Sequence, residues 1–356
     1  MKGMELCRRF YSDCVRGIIA EEFSDLKYTA GLLGFGSDVL GFDDEVSQDH
    51  MWGPRLYIFL REGEKTPGEA ILAALSEKLP QKFLGYSVGF GEPDEHGIAA
   101  MGSEDGILRP MINIQTFAGF LYANLGIRDT EGLTAAHWLA FSEHKLLSLQ
   151  AGELFRDDLN IAADLSALKY YPREVWLYLL MSDWSCLAEE HAFVKRTSSR
   201  GDELGSRIIC ARLVQRMMHL CFLYEKKFAA YSKWFGTQFN QLSCASRVKP
   251  LLEKALFTDD QLERENAVAM AQAELIKIHN ESGITAPVPP EVHSYYTRDI
   301  KVANSDIVFQ ALRSLVDGTS LAQLPPVGSL SSVGNLVVLT ESPENIKRIM
   351  DFYNLY

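Results

Sequence analysis

Zinc-binding and disulfide signatures are missing from this sequence. Its six cysteines, Cys7, Cys14, Cys186, Cys210, Cys221 and Cys244, form no Cys-x-x-Cys pair, so neither a zinc site nor a disulfide framework is expected. Several sit among apolar neighbours, where a free thiol acts as a small hydrophobe. No apolar run reaches the roughly 18 residues that a membrane span needs. The opening residues, MKGMELCRRFYSDCV, carry no long apolar stretch, so no secretory leader is expected. Positive charge is also scarce: 35 Lys and Arg stand against 47 Asp and Glu, a net charge of −12. That balance disfavours a nucleic-acid partner, whose backbone calls for clustered cations. It leaves room for one bound nucleotide, met locally by a metal ion and a few cations. The expectation is a reduced, cytoplasmic protein with no membrane partner; homo-oligomerisation stays open.

Apolar residues make up 47% of the 356, enough to bury cores in two domains. Residues 4 to 24 read as a helix on Leu6, Phe10, Val15, Ile18 and Ile19. "YTAGLLGFGS" reads as a buried strand ending in a glycine turn, and "RLYIFL" as a second strand beyond an acidic loop. "TPGEAILAALSEKLP" is a helix started near Thr66 and Pro67 and stopped at Pro80. "KFLGYSVGF" and "PMINIQTF" read as strands, with "EPDEHG" as a turn. After about residue 130 helical patterns take over: 172–190 begins at Pro172, "ELGSRIICARLVQRMMHLCFLYEKKF" is apolar nearly all round, and a third helix stops at Gly283. A final helix is capped by Ser342 or by acids in its first turn. The fold class expected is α+β, an α/β domain with a small mixed sheet over 1–130 followed by an all-α domain over 131–356.

The acidic loop offers chemistry. Transfer of a nucleotidyl group needs magnesium held by carboxylates. A Gly-Ser turn can face phosphate oxygens with its backbone N–H groups. Gly36 and Ser37 close the first strand, and Asp49 is expected to open the next, with residue 51 on its face. Asp49 is therefore the leading metal ligand and catalytic acid. Met51 offers magnesium no hard oxygen. The missing attraction is large, since opposite charges about 4 Å apart are worth roughly 4 kcal/mol at an effective dielectric near 20. Asp43, Asp44 and Glu45 are candidates to compensate, or are simply solvated. A dinucleotide fingerprint fails because residue 39 is Val, and no Gly-Lys-Ser/Thr makes a P-loop.

"GSDVLGFDDEVSQDHMWGPRLYIFL" resembles the DNA polymerase beta-type nucleotidyltransferase superfamily, whose pattern is a Gly-Ser turn followed by Asp-x-Asp or Asp-x-Glu. With "KYYPREVWLYLLMSDWSCLAEEHAFVKR", "GDELGSRIICARLVQRMMHLCFLYEKKFAAYSKWFGTQF" and "ELIKIHNESGIT", it looks like a bacterial family of uncharacterised nucleotidyltransferase-like proteins. The resemblance implies an architecture similar to kanamycin nucleotidyltransferase, with a helical domain closing over an α/β catalytic one. Carried over, Gly36 and Ser37 match the phosphate-contacting turn and Asp49 the first acid. Met51 departs from the second acid, and "INIQTF" offers only Asn113 and Gln115 where a third is expected.

In the helical region, "GDELGSR" is either a helix cap, which suits Asp202 and Glu203, or a start that sends Arg207 toward a triphosphate. Lys233 and Trp234, before Gly236, suit a base-and-phosphate pocket, or are a snorkelling surface residue beside a core ring. Arg212, Arg216 and His219 form a stripe expected to pair with Glu189 or Glu190. Those two acids are alternatively a general base. His137, His191 and His279 stand alone and read as structural. The function expected is transfer of a nucleoside monophosphate from a triphosphate to a hydroxyl of a small acceptor, with magnesium. The alternative is a nucleotide-binding module impaired in catalysis by Met51, and a third reading is a scaffold without a nucleotide site.

Overall fold

The structure, a computed structural model, describes residues 1–48, 51–64, 66–91, 101–102, 108–329 and 342–354. It is mixed α/β, with small sheets and a helical C-terminal region. The chain forms two compact units, each assembled from three segments. The first comprises Met1–Gly132, His144–Lys169 and Val338–Lys347, and the second Leu133–Glu143, Tyr170–Val337 and Arg348–Tyr356.

In the first unit, α1 (Gly3–Phe10) runs into a π-helical turn, Tyr11–Val15, and then α2 (Arg16–Glu22). The apolar spacing explains the wide turn. Leu6, Phe10, Val15 and Ile19 are all buried, and the step from Phe10 to Val15 is one residue longer than an α-helical face allows. A π turn absorbs the extra residue, closed by the Arg16 N–H on the Tyr11 carbonyl. Next come β1 (Thr29–Leu32), β2 (Arg55–Leu60) and α3 (Gly68–Lys78). Two short strands follow, β3 (Lys82–Phe83) and β4 (Tyr86–Ser87), where the sequence suggests one. Positive φ at Leu84 and Gly85 folds the chain back between them. "EPDEHG" lies outside the described residues. β5 (Met111–Thr116) leads into α4 (Phe117–Leu125).

The principal sheet has the order β5-β2-β1 and is completed by a strand the sequence does not announce, β6 (Glu153–Asp157). β1 is antiparallel to β2 and to β6, while β2 and β5 are parallel, with Tyr57 opposite Asn113. One face carries Ala30, Leu56, Ile58 and Ile112 into a core with Leu6, Phe10, Val15, Ile19, Ile71 and Leu75. The other turns Tyr57 and Phe59 onto Phe117 and Phe120, with ring centroids 5.0–6.0 Å apart.

The second unit is built on three long helices: Arg173–Glu190, Glu203–Tyr224 and Gln261–Ser282, the last ending at left-handed Gly283. Helix 173–190 packs on 203–224 and on Ser305–Val316; helix 261–282 packs on 203–224 and on Ala245–Phe257. The hairpin Val292–Ser294/Lys301–Ala303 also lies on helix 261–282. The last described helix, Pro343–Tyr353, starts as the sequence suggests: Ser342 Oγ accepts from the Asn345 N–H at 3.1 Å, and Glu344 stands in its first turn. All six cysteines are free thiols, and no described helix is long and apolar enough to cross a membrane.

Asp260 starts helix 261–282 by accepting from the N–H groups of Leu262 (2.8 Å) and Glu263 (2.9 Å). Asp260→Ala is expected to cost that helix start about 1 kcal/mol. Amide hydrogen exchange checks this: protection should fall in the first turn and hold in the middle of the helix.

Candidate functional site

The glycine turn of the first unit is held from beneath. β1 delivers the chain to Phe35, Gly36 and Ser37, and the next residue, Asp38, is buried. Arg55, the first residue of β2, is buried too. It grips Asp38 with Nε (3.2 Å) and Nη2 (2.7 Å), gives Nη2 to the Phe35 carbonyl (2.8 Å), and lies over the Phe35 ring. Burial pulls the guanidinium toward losing its proton, and the Asp38 carboxylate outweighs that, so its pKa moves up. Gly36 sits at φ 113°, where a Cβ would run into both the Asp38 carboxylate and the Arg55 guanidinium. Only glycine fits that position. The backbone N–H groups of Gly36 and Ser37 find no acceptor among the described residues.

The acids of the following loop are turned to other tasks. Asp43 is buried and accepts from the Gly3 N–H at the start of α1 (2.7 Å) and from Trp52 Nε1 (3.1 Å). Its other oxygen makes no aligned hydrogen bond and is met by the Lys2 ammonium at 3.3 Å. Asp44 is exposed and closes a turn on the Val46 and Ser47 amides and the Ser47 hydroxyl. The Ser47 hydroxyl and amide hold its carboxyl below the usual range. Glu45 is exposed. Asp49 lies outside the described residues. β2 covers "RLYIFL" from Arg55, so residue 51 stands before the strand and not on its face. Met51 precedes it in a bend at φ 53°, which an unbranched side chain adopts only under strain. Neither β2 nor β5 carries a carboxylate, and among the described residues no group of three or more His, Cys, Asp or Glu side chains is placed to hold a metal ion. The described residues therefore do not fit a magnesium centre.

In the second unit, four charged groups meet inside the protein. His219 stands between two carboxylates, Asp183 at 2.5 Å from Nδ1 and Glu143 at 3.1 Å from Nε2. Arg216 completes the set at 3.0 Å from Asp183. The Tyr171 hydroxyl (2.9 Å) and the Ala229 N–H (3.4 Å) also donate to Glu143. Burial alone would drive the proton off His219. The charges of Glu143 and Asp183, and their hydrogen bonds, overcome that and raise its pKa to about 10. At neutral pH both ring nitrogens are donors, so this histidine has no lone pair with which to act as a base. Two anions face two cations, and the cluster binds the chain near 143 and 229 to the helices 173–190 and 203–224.

Residues 138–235 match the model of a domain of unknown function (DUF4037). No curated protein matches the chain. The DUF4037 stretch contains all four members of the ionic cluster, together with Tyr171 and Ala229. It also holds most of the helical residues singled out in the sequence. Arg212 pairs with Glu190 as expected, at 2.8 Å through two donors. Arg216 and His219 turn instead to Asp183, a lone acid in the apolar run "LLMSDWSCL", which was the one available sign of it. Asp202 caps its helix on the Gly205 N–H (2.8 Å). Arg207 is spent inside the unit, on Glu203 (3.0 Å), Asp259 (2.8 Å) and the Leu256 and Thr258 carbonyls. Lys233 is exposed, with its ammonium 5.1 Å from the Trp234 ring. The solitary histidines serve structure. His137 accepts from the Thr134 N–H, His191 meets Gln272, and His279 links Tyr224 to Thr285.

Proposed function

We propose that the first unit is a nucleotidyltransferase-type module that binds a nucleoside triphosphate at the Gly36–Ser37 turn and is impaired in transferring it. The observation that carries this is the pair of unclaimed N–H groups at Gly36 and Ser37, on a turn fixed by the buried Asp38–Arg55 pair. Backbone N–H groups preset in this way suit phosphate oxygens. The impairment follows from Met51, which stands where the resemblance puts the second acid, and from β5, which offers only Asn113 and Gln115 where a third is expected. The sequence resemblance supports the same assignment.

Calorimetry of the full chain with non-hydrolysable ATP and GTP analogues tests the proposal. Binding is expected at similar affinity with magnesium and with a chelator. Radiolabelled triphosphate offered with hydroxyl acceptors is expected to give no labelled product. Met51→Asp should make binding depend on magnesium. Silence with every triphosphate would leave a scaffold, and labelled product from the unaltered chain would restore the active transferase.

A further inference from the structure

A second feature of the first unit stands independently of the Gly36 turn. Between the α1–α2 helix and the edge strand β6 lies a cleft of about 380 Å³, within the size range of small-molecule sites. Its walls include Arg8, Tyr11 and Arg16 on the helix side, and Glu153, Phe155 and Arg156 on the strand side. Three guanidinium groups face one carboxylate there, on a chain whose net charge is −12.

The three arginines are not equivalent. Arg8 is forked onto Glu153 at 2.6 and 2.5 Å and also meets Glu5. Arg156 is held by Asp158 at 2.9 Å and lies over the Tyr28 ring. Both are fixed in place, with their charge largely matched. Arg16 is exposed and has no acidic partner among the described residues. Its position is set by the π turn, whose closing hydrogen bond stacks Arg16 above Tyr11. An uninterrupted α-helix would stack it above Ser12 instead, and such wide turns recur at functional sites. The floor is aromatic: Tyr11 and Phe155 stack with centroids 5.8 Å apart and planes 28° from parallel, and the Tyr11 hydroxyl is tied to that of Tyr28 at 3.0 Å.

We infer that this cleft binds a small organic phosphate monoester, its phosphate on Arg16 and its flat body on the Phe155–Tyr11 stack. A guanidinium fork matches phosphate oxygens in geometry and charge. The cleft is far larger than phosphate itself, which calls for an organic body beside the anion.

Calorimetry of the full chain with phenyl phosphate, inorganic phosphate and phenol tests the assignment. Phenyl phosphate is expected to bind best, inorganic phosphate more weakly and phenol not at all. Raising the salt should weaken phenyl phosphate binding to the unaltered chain. Arg16→Gln should weaken it about ten- to hundredfold, the worth of one charge-assisted contact, at an unchanged melting temperature because the side chain is exposed. Arg16→Lys should recover part of the loss. Equal binding by Arg16→Gln and the unaltered chain, binding indifferent to salt, or no heat with phenyl phosphate overturns the assignment.

Discussion

Replacing Asp183 by alanine will lower the stability of the helical unit by about 3–5 kcal/mol, the usual cost of removing one partner from a buried ion pair. The loss is this large because Asp183 serves two cations, and its removal takes the carboxylate from Arg216 and leaves His219 with Glu143 alone. Urea unfolding measures it. Glu190→Ala is the contrast: the Arg212–Glu190 pair is partly solvated and should count for less than about 1 kcal/mol. Equal effects from the two substitutions would mean that the buried cluster is not what holds these helices. The cluster also fixes a pH dependence. His219 has its pKa raised to about 10 in the folded protein, against about 6.5 in an unfolded chain. Its contribution is therefore fully present below about pH 6.5 and is lost as the pH rises through about 10, with a slope of at most about 1.4 kcal/mol per pH unit. Urea midpoints between pH 7 and 10 should fall in the unaltered chain, and His219→Gln should flatten that decline.

The second large effect lies at the glycine turn. Arg55→Met will strand the Asp38 carboxylate in a buried site and free the Phe35 carbonyl, at a cost again of about 3–5 kcal/mol. Asp38→Leu alone should be comparably harmful, since it strands the cation. The double substitution should recover most of either loss, because exchanging a buried pair for apolar residues is often neutral. A double-mutant cycle by urea unfolding gives the coupling directly. Additive losses would show that the two side chains are held independently.

Much of the secondary structure could be read from the residues, because periodicity reports burial directly. "RLYIFL" became β2 over the same residues, and the long helices fall where the apolar patterns place them. β6 escaped because "ELFRD" has three charged residues in five, and pairing with β1 rather than burial makes it a strand. The π turn was visible in principle, in the long step from Phe10 to Val15. At the candidate sites, Gly36 and Ser37 were singled out for their chemistry, and the turn's real support was not. Asp38 and Arg55 are brought together only by the strand crossing. Glu143 is 76 positions from His219, and no local pattern links residues so far apart. Asp43 looked like a metal ligand because a carboxylate's partners, here Gly3 and Trp52, cannot be seen from its neighbours.

The threading of the sheet bears on how the protein is made. β1 and β2 both lie within the first 60 residues, but the outer edge of β1 pairs with β6, which is complete only once residue 157 has been added. Until then its N–H and C=O groups stand open to any other extended chain. The nascent protein thus passes through an interval in which the sheet is unfinished, and anything that shields that edge during translation, a chaperone included, acts on the step where sticking to a neighbour competes with folding.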